Sequence, residues 1–128
     1  MDLEKILSEV LNCMHEGDID KAESLLSKIL NQFPENPDAL TQKGIILIHK
    51  KQFKKGIKFI QISLLIKPNQ PEALLNLGMA FYQESKFDQA IQYFNDAIKI
   101  RPDYSEAFYT KALSYQNMNL REEAINNF

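Results

Sequence analysis

The sequence predicts an all-α fold, an α-solenoid of antiparallel helix pairs, and three observations carry that expectation. Prolines recur at Pro34, Pro68 and Pro102, 34 residues apart. Residues of matching size align in columns when the chain is written with that period. Each period also reads as two apolar-periodic stretches separated by a polar turn, which is the pattern of a helical hairpin.

Written in this frame, the 128 residues form a single repeat domain with three full units, 3–36, 37–70 and 71–104, and an incomplete fourth, 105–128. Ala39, Ala73 and Ala107 share a column, as do Ile6, Leu40, Leu74 and Phe108. Val10, Gly44, Gly78 and Ala112 fall on another, and Cys13, Leu47, Phe81 and Tyr115 on the next. The second half of each unit contributes Ala22, Gly56, Ala90 and Ala124, then Leu26, Ile60, Phe94 and Phe128.

Within the third unit, Leu74, Leu77, Gly78 and Phe81 recur at three- and four-residue steps and give a first helix one apolar face. Glu84-Ser85-Lys86 is the polar turn, and Phe87, Ala90, Ile91, Phe94, Ala97 and Ile98 form the face of a second helix. Asn36-Pro37 is a start signal: asparagine caps, and proline at the first helical position forfeits no hydrogen bond. Pro34, Pro68 and Pro102 are stops, because proline disfavours helical geometry in the preceding residue. The predicted helices are 3–16, 19–33, 37–50, 53–67, 71–84, 87–101, 105–118 and 121 to the end.

The small columns let two helices approach, and the large columns fill the space beside them. On this reading Gly78 marks a place where two helix backbones meet. One hairpin cannot bury such a surface alone, so neighbouring units must stack into a superhelix with a concave and a convex side.

Composition narrows the function. A net charge of −2 gives no general attraction to nucleic acid or anionic membrane. The single cysteine, Cys13, rules out an internal disulfide and a cysteine-based metal site, and its column is a core column. The first residues, Met1-Asp2-Leu3-Glu4-Lys5, lack the basic start and apolar run of a signal peptide, and no apolar stretch is long enough to span a bilayer. A soluble cytoplasmic protein is expected.

These columns resemble the tetratricopeptide repeat, a 34-residue helix–turn–helix unit. The third unit is the nearest match, with Leu77-Gly78, Phe81, Ala90, Phe94, Ala97 and Pro102 on the family's signature positions. Ile6, Leu40, Leu74 and Phe108 stand where the family often has tryptophan, and the first unit departs most, with Glu9 and Val10 at usually leucine and small positions. The resemblance implies a right-handed superhelix whose first helices line a groove that grips a peptide or an amphipathic helix. The positions that would line it are Leu7, Ser8, Leu11, Met14 and His15 in the first unit and Thr41, Gln42, Ile45, Ile48 and His49 in the second. The third offers Leu75, Asn76, Met79, Tyr82 and Gln83, and the fourth Tyr109, Thr110, Leu113, Gln116 and Asn117.

Two specificities known in the family can be weighed residue by residue. Repeats that hold acidic chaperone tails use Lys, Arg and Asn on first helices. The matching positions here hold Leu7, Leu11, Gln42, Glu72 and Asn76, or, one unit on, Thr41, Ile45, Asn76, Glu106 and Thr110. Glu72 and Glu106 would repel a carboxylate. The third and fourth units are also similar to the repeats of O-linked N-acetylglucosamine transferases, where an asparagine ladder binds substrate backbone. Asn76 matches one rung, and Ser8, Gln42 and Thr110 occupy others.

The function expected is therefore a non-catalytic scaffold for a protein or peptide partner, with no cofactor. The alternative is an N-terminal substrate-docking module of a larger enzyme such as a glycosyltransferase. Lys43, Lys50, Lys51, Lys54, Lys55, Lys58 and Lys67 lie in an acid-free stretch, read as a solvated face because interleaved aromatics are scarce, no arginine is there to grip phosphate bidentately, and the chain is acidic overall. His15 and His49 share a column but lack a third ligand, so no metal site is expected. No nucleophile–base constellation or phosphate loop occurs. The fourth unit stops at Phe128 inside its second helix, which would leave Tyr115, Ala124 and Phe128 partly bare. The chain is expected to be a fragment of a longer array, with an end-to-end homodimer as the second expectation.

Overall fold

Local signals set the helices. In the computed structural model, which describes residues 2–126 and side chains through Glu122, α1 (Leu3–Glu16) starts at Asp2, whose carboxylate accepts from the Lys5 N–H at 3.3 Å. Asp18 does the same for Lys21 at the start of α2 (Ile19–Gln32). Asn36 accepts from the Ala39 N–H at 2.9 Å and opens α3 (Pro37–His49), with proline at the first helical position. Then follow α4 (Phe53–Ile66), α5 (Pro71–Gln83), α6 (Phe87–Ile100) and α7 (Ser105–Asn126).

The proline stops act where the sequence placed them. α2, α4 and α6 end at Gln32, Ile66 and Ile100, each two residues before its proline. The intervening Phe33, Lys67 and Arg101 have left the helical region, as the proline ring requires. The turn within each hairpin is also periodic. Gly17, Lys51 and Ser85 all take left-handed φ, +81°, +65° and +61°, at the same position of successive units. Glycine does so without penalty, whereas Lys51 and Ser85 do so against the Cβ clash that disfavours this region.

The fourth unit breaks the rule. Asn119 stands on the left-handed column, yet α7 runs through it without turning, so the expected helices 105–118 and 121 onward are one element. Seven helices, and not eight, are present among the described residues. Phe128 and the side chain of Ala124 lie outside what is described.

The helices form two compact units, Met1–Pro68 and Asn69–Phe128. In the first, α1, α2, α3 and α4 pack each on the next, and the short turns make successive helices antiparallel. Val10, Cys13, Ala22, Leu26, Ile29, Ala39 and Ile46 form one buried cluster from α1, α2 and α3. Between α3 and α4 two glycines face each other: a Cβ on Gly44 would lie 2.8 Å from the Gly56 carbonyl oxygen, and one on Gly56 2.7 Å from that of Gly44. Beside it, the buried Ser63 hydroxyl donates to the Pro37 carbonyl at 2.6 Å, which leaves Thr41 to donate to Ser63 at 2.7 Å. In the second unit α6 packs on both α5 and α7, and α5 also touches α7. Leu77, Ala80, Ala90, Phe94, Ala97 and Ala107 are buried there. Phe81 stacks on Tyr93 with ring centroids 5.4 Å apart.

At Gly78 the nearest obstacle is a ring and not the backbone that the sequence suggested. A Cβ there would meet the Phe94 ring, 2.6 Å from Cδ1 and 2.9 Å from Cζ. The two glycine sites therefore differ in what resists a side chain. Gly56→Ala is expected to cost about 1–3 kcal/mol in urea denaturation, with no recovery on trimming Ile48. Gly78→Ala should be partly rescued by Phe94→Leu in the same chain. An unchanged midpoint for Gly56→Ala would contradict the close approach.

Charge ties α2 to α3. Glu23 is ion-paired with Lys50 and lies 3.8 Å from Lys43, and the Lys50 hydrogen bond holds its carboxyl below the usual range against the opposing effect of burial. A carboxylate with a depressed folded pKa stabilises fully above its unfolded pKa and ceases to do so as pH falls through the folded value. Glu23→Gln should thus lower stability at pH 7 by about 0.5 kcal/mol, the scale of a part-exposed pair. The difference from wild type should vanish well below pH 4, about the ordinary carboxylate range, when urea midpoints are compared across pH.

Candidate functional site

The first helices carry the predicted groove residues, and burial divides these into two groups. In the first unit, Leu7 and Met14 of α1 are half-buried against the core cluster, while Leu11 is 44% exposed and Ser8 and His15 are exposed. His15 Nδ1 lies 2.9 Å from the Leu11 carbonyl, so that ring is tied to its own helix. On α3, Gln42 is half-buried and His49 exposed, but Ile45, Ile48 and Thr41 are buried. The correction has a simple cause. α3 is packed between α2 and α4; Ile48 lies against Gly56 and Thr41 against Ser63, so these side chains hold the hairpin and offer no surface.

The second unit presents a more continuous face. Leu75 of α5 is buried and is likewise removed from the site. Asn76, Met79 and Tyr82 are half-buried and Gln83 is exposed. On α7, Tyr109 is 67% exposed, Leu113 and Thr110 are half-buried and Gln116 is exposed. Tyr109, Leu113 and Asn117 follow at four-residue steps and so form one stripe on α7. Asn117 Nδ2 donates to the Tyr82 hydroxyl at 2.8 Å and to the Leu113 carbonyl at 2.9 Å, which fastens the α7 stripe to α5. Tyr82 is held from the other side by an edge-on contact with Phe87, centroids 5.5 Å apart.

The polar groups on this face are partly committed. Asn76 Nδ2 donates to the Glu72 carbonyl at 2.8 Å, leaving its oxygen and one N–H outward. The Thr110 hydroxyl donates to the Glu106 carbonyl at 2.7 Å and has no second proton to give. Glu72 and Glu106 sit at the starts of α5 and α7, and Arg101 lies 3.9 Å from Glu72. Burial raises the Tyr104 phenol above its ordinary range, helped by the nearby Glu72 and Glu106.

Family comparisons agree with this arrangement of helices. One family model, described as Tetratricopeptide repeat, matches residues 71–104, and a second with the same description matches 14–80. The chain belongs to the tetratricopeptide-repeat family. The first match coincides with the third unit read from the sequence. Among solved structures, an O-GlcNAc transferase mutant from Thermobaculum terrenum is similar at 20% identity and TM-score 0.83, covering 87% of this chain and 21% of that one. The chain thus spans about a fifth of that enzyme's length. The Sgt2 tetratricopeptide-repeat domain from Aspergillus fumigatus is similar at 17% identity and TM-score 0.82, with 94% and 81% of the two chains covered. The first such domain of Spaghetti (RPAP3), bound to an HSP90 peptide, gives 17% identity, TM-score 0.80 and coverage of 89% and 90%. At these identities the likeness is one of fold. Among curated proteins no significant sequence match is found.

As a tetratricopeptide-repeat chain, the molecule bares Tyr115 as the sequence led one to expect, and bares Phe108 and Ala112 with it, which the sequence did not. Phe108 and Tyr115 lie on core columns but are 48% and 49% exposed. Ala112, on a small column, is exposed too. All three belong to the face that a second helix covers in the other units, and the straight course of α7 leaves it open. The signal available in advance was the run Leu120-Arg121-Glu122-Glu123-Ala124, strong helix formers with no glycine or proline to break α7. Among the described residues no three metal-ligating side chains converge, and no helix is long and apolar enough to cross a membrane.

If the Tyr82–Asn117 bond fixes α7 on α5, Tyr82→Phe should destabilise the chain by about 1 kcal/mol. In a double-mutant cycle with Asn117→Ala, a coupling energy of zero would show the contact to be incidental.

Proposed function

We propose that the chain is a protein–protein interaction module that holds a peptide or an amphipathic helix on the exposed sides of its first helices, and that it binds its partner without transforming it. The observation that carries this reading is the α5/α7 face. Tyr109, Leu113, Met79 and Tyr82 supply apolar contact area, and Asn76, Gln83 and Gln116 border it with amides. An apolar strip with a polar edge suits an extended or helical ligand with apolar anchors at regular spacing. Tyrosine gives large contact area at low entropic cost, and here Tyr82 is already immobilised by Asn117 and Phe87. In the first unit, Leu11 is an exposed apolar side chain on α1, and Gln42 and His49 are polar side chains on α3.

An acidic chain terminus is a poor occupant, since Glu72 and Glu106 present carboxylates at the starts of α5 and α7. Backbone recognition through an asparagine ladder, as in a glycosyltransferase docking module, is not favoured either, because the Thr110 hydroxyl is spent within its own helix. The further expectation of a homodimer is supported by α7, where Phe108, Ala112 and Tyr115 are uncovered. A second copy laid there would bury them.

The test is a peptide library selected on the purified chain, followed by affinity measurement of the winning sequence. Met79→Glu and Tyr109→Glu should each weaken binding by at least about tenfold, or 1.4 kcal/mol, while circular dichroism stays unchanged, because a charge would line the α5/α7 contact strip. Undiminished affinity in both variants would move the site elsewhere.

A further inference from the structure

We infer that the outer face of α4 is a second docking surface, and that its occupant is an acidic amphipathic segment of a partner protein. The inner face of α4 is accounted for by Gly56, Ile57, Ile60 and Ser63, all buried. On the opposite side Lys54, Lys58, Ile62 and Leu65 follow at steps of four, four and three and so share one stripe, with Lys55 beside it. Leu65 is 84% exposed and Ile62 40%.

The repeat itself does not ask for these residues. The positions of Lys54, Lys55, Lys58, Ile62 and Leu65 are occupied in α2 by Asp20, Lys21, Ser24, Lys28 and Asn31. In α6 they are occupied by Asp88, Gln89, Gln92, Asp96 and Lys99. Both of those helices therefore meet solvent with mixed polar residues, and α4 alone of the three combines a basic half with an apolar half.

The charges are also uncompensated. Of the lysines in the acid-free stretch, Lys43 and Lys50 reach Glu23, and Lys67 lies 3.5 Å from Asp38. Lys54, Lys55 and Lys58 have no carboxylate within 4.0 Å among the described residues. Lys54 and Lys55 moreover stand in the first turn of a helix, where the macrodipole disfavours cations, and every other described helix has an acid there. Lone exposed apolar side chains are ordinary on a protein surface. An apolar pair aligned with unpaired lysines at a cost to the helix is better explained by a ligand carrying carboxylates toward one end and apolar side chains toward the other. A bilayer fits less well. A helix lying in a membrane interface sets its lysines on the flanks of a broad apolar face, whereas Lys54 and Lys58 lie in line with Leu65.

The probe is a fluorescein-labelled synthetic helix with three glutamates at four-residue spacing in one half and leucines in the other, titrated by anisotropy with the full chain. Wild type should bind it, and binding should weaken steeply as salt rises from about 0.05 to 0.3 M. Lys54→Glu with Lys58→Glu should reduce affinity at least about tenfold. An acid at position 54 favours the first turn of α4, and position 58 is exposed, so an unchanged circular dichroism spectrum and urea midpoint of the double variant separates this loss from unfolding. Leu65→Gln should reduce affinity several-fold, and Met79→Glu should leave it unchanged, which separates this surface from the α5/α7 face. No binding by wild type, or no effect of the charge reversals, would overturn the inference. So would lysine-dependent sedimentation with phosphatidylserine-containing vesicles in the absence of peptide binding.

Discussion

Close approach of a first helix to its second helix is the constraint on which the rest depends. The large side chains of a hairpin reach across only if the small column holds the axes near each other, and the three hairpins meet that demand in different ways. Gly44 and Gly56 set backbone against backbone. Gly78 makes room for the ring of Phe94, which is fully buried as a result. In the first hairpin Val10 takes the same column and Ala22 faces the core, both without exposed area. One geometric requirement is thus satisfied by glycine–glycine, glycine–aromatic and valine–alanine solutions. This is why the column reads as small only on average.

Where the constraint is not engaged, structure changes at once. Ala112 occupies the small column of the fourth unit but is exposed, and Phe108 and Tyr115 beside it are half bare. The left-handed turn that Lys51 and Ser85 adopt is locally unfavourable and is offset by the burial of α4 and α6 on their partners. Asn119 tolerates that conformation better than lysine or serine do, and still α7 continues. A turn residue permits a hairpin; packing of the returning helix compels it.

Much of this was legible in the sequence. The period, the proline stops and the first three hairpins followed from spacing alone, with α2, α4 and α6 one residue shorter than expected because the position before proline leaves the helix. The groove was harder to read. Thr41, Ile45, Ile48 and Leu75 sit on first helices at positions that line a groove in the family, yet they are buried. A helical wheel shows which face is apolar but does not say which neighbour covers it. The four-residue run Ile45-Ile46-Leu47-Ile48 did carry the warning, since a helix apolar on all sides is one enclosed on all sides. The lysine stretch was likewise half understood: its even distribution along the sequence concealed that Lys43, Lys50 and Lys67 pair with Glu23 and Asp38.

A repeat protein contains its own controls, and that is what separates architecture from function here. Residues that recur on a column from the second unit to the fourth, such as Ala39, Ala73 and Ala107, all buried, answer a requirement of folding and tell nothing of a partner. Residues that depart from their column without serving the core need another cause. Tyr109 departs from Thr41 and Leu75, both buried, by standing 67% in solvent. Leu65 departs from Asn31 and Lys99 by placing an apolar side chain where its counterparts are polar. These departures lie on α7 and on α4, and neither is explained by packing within its own unit. Comparing each exposed position with its counterparts 34 residues away therefore points to surfaces for binding even where the family as a whole specifies only the scaffold.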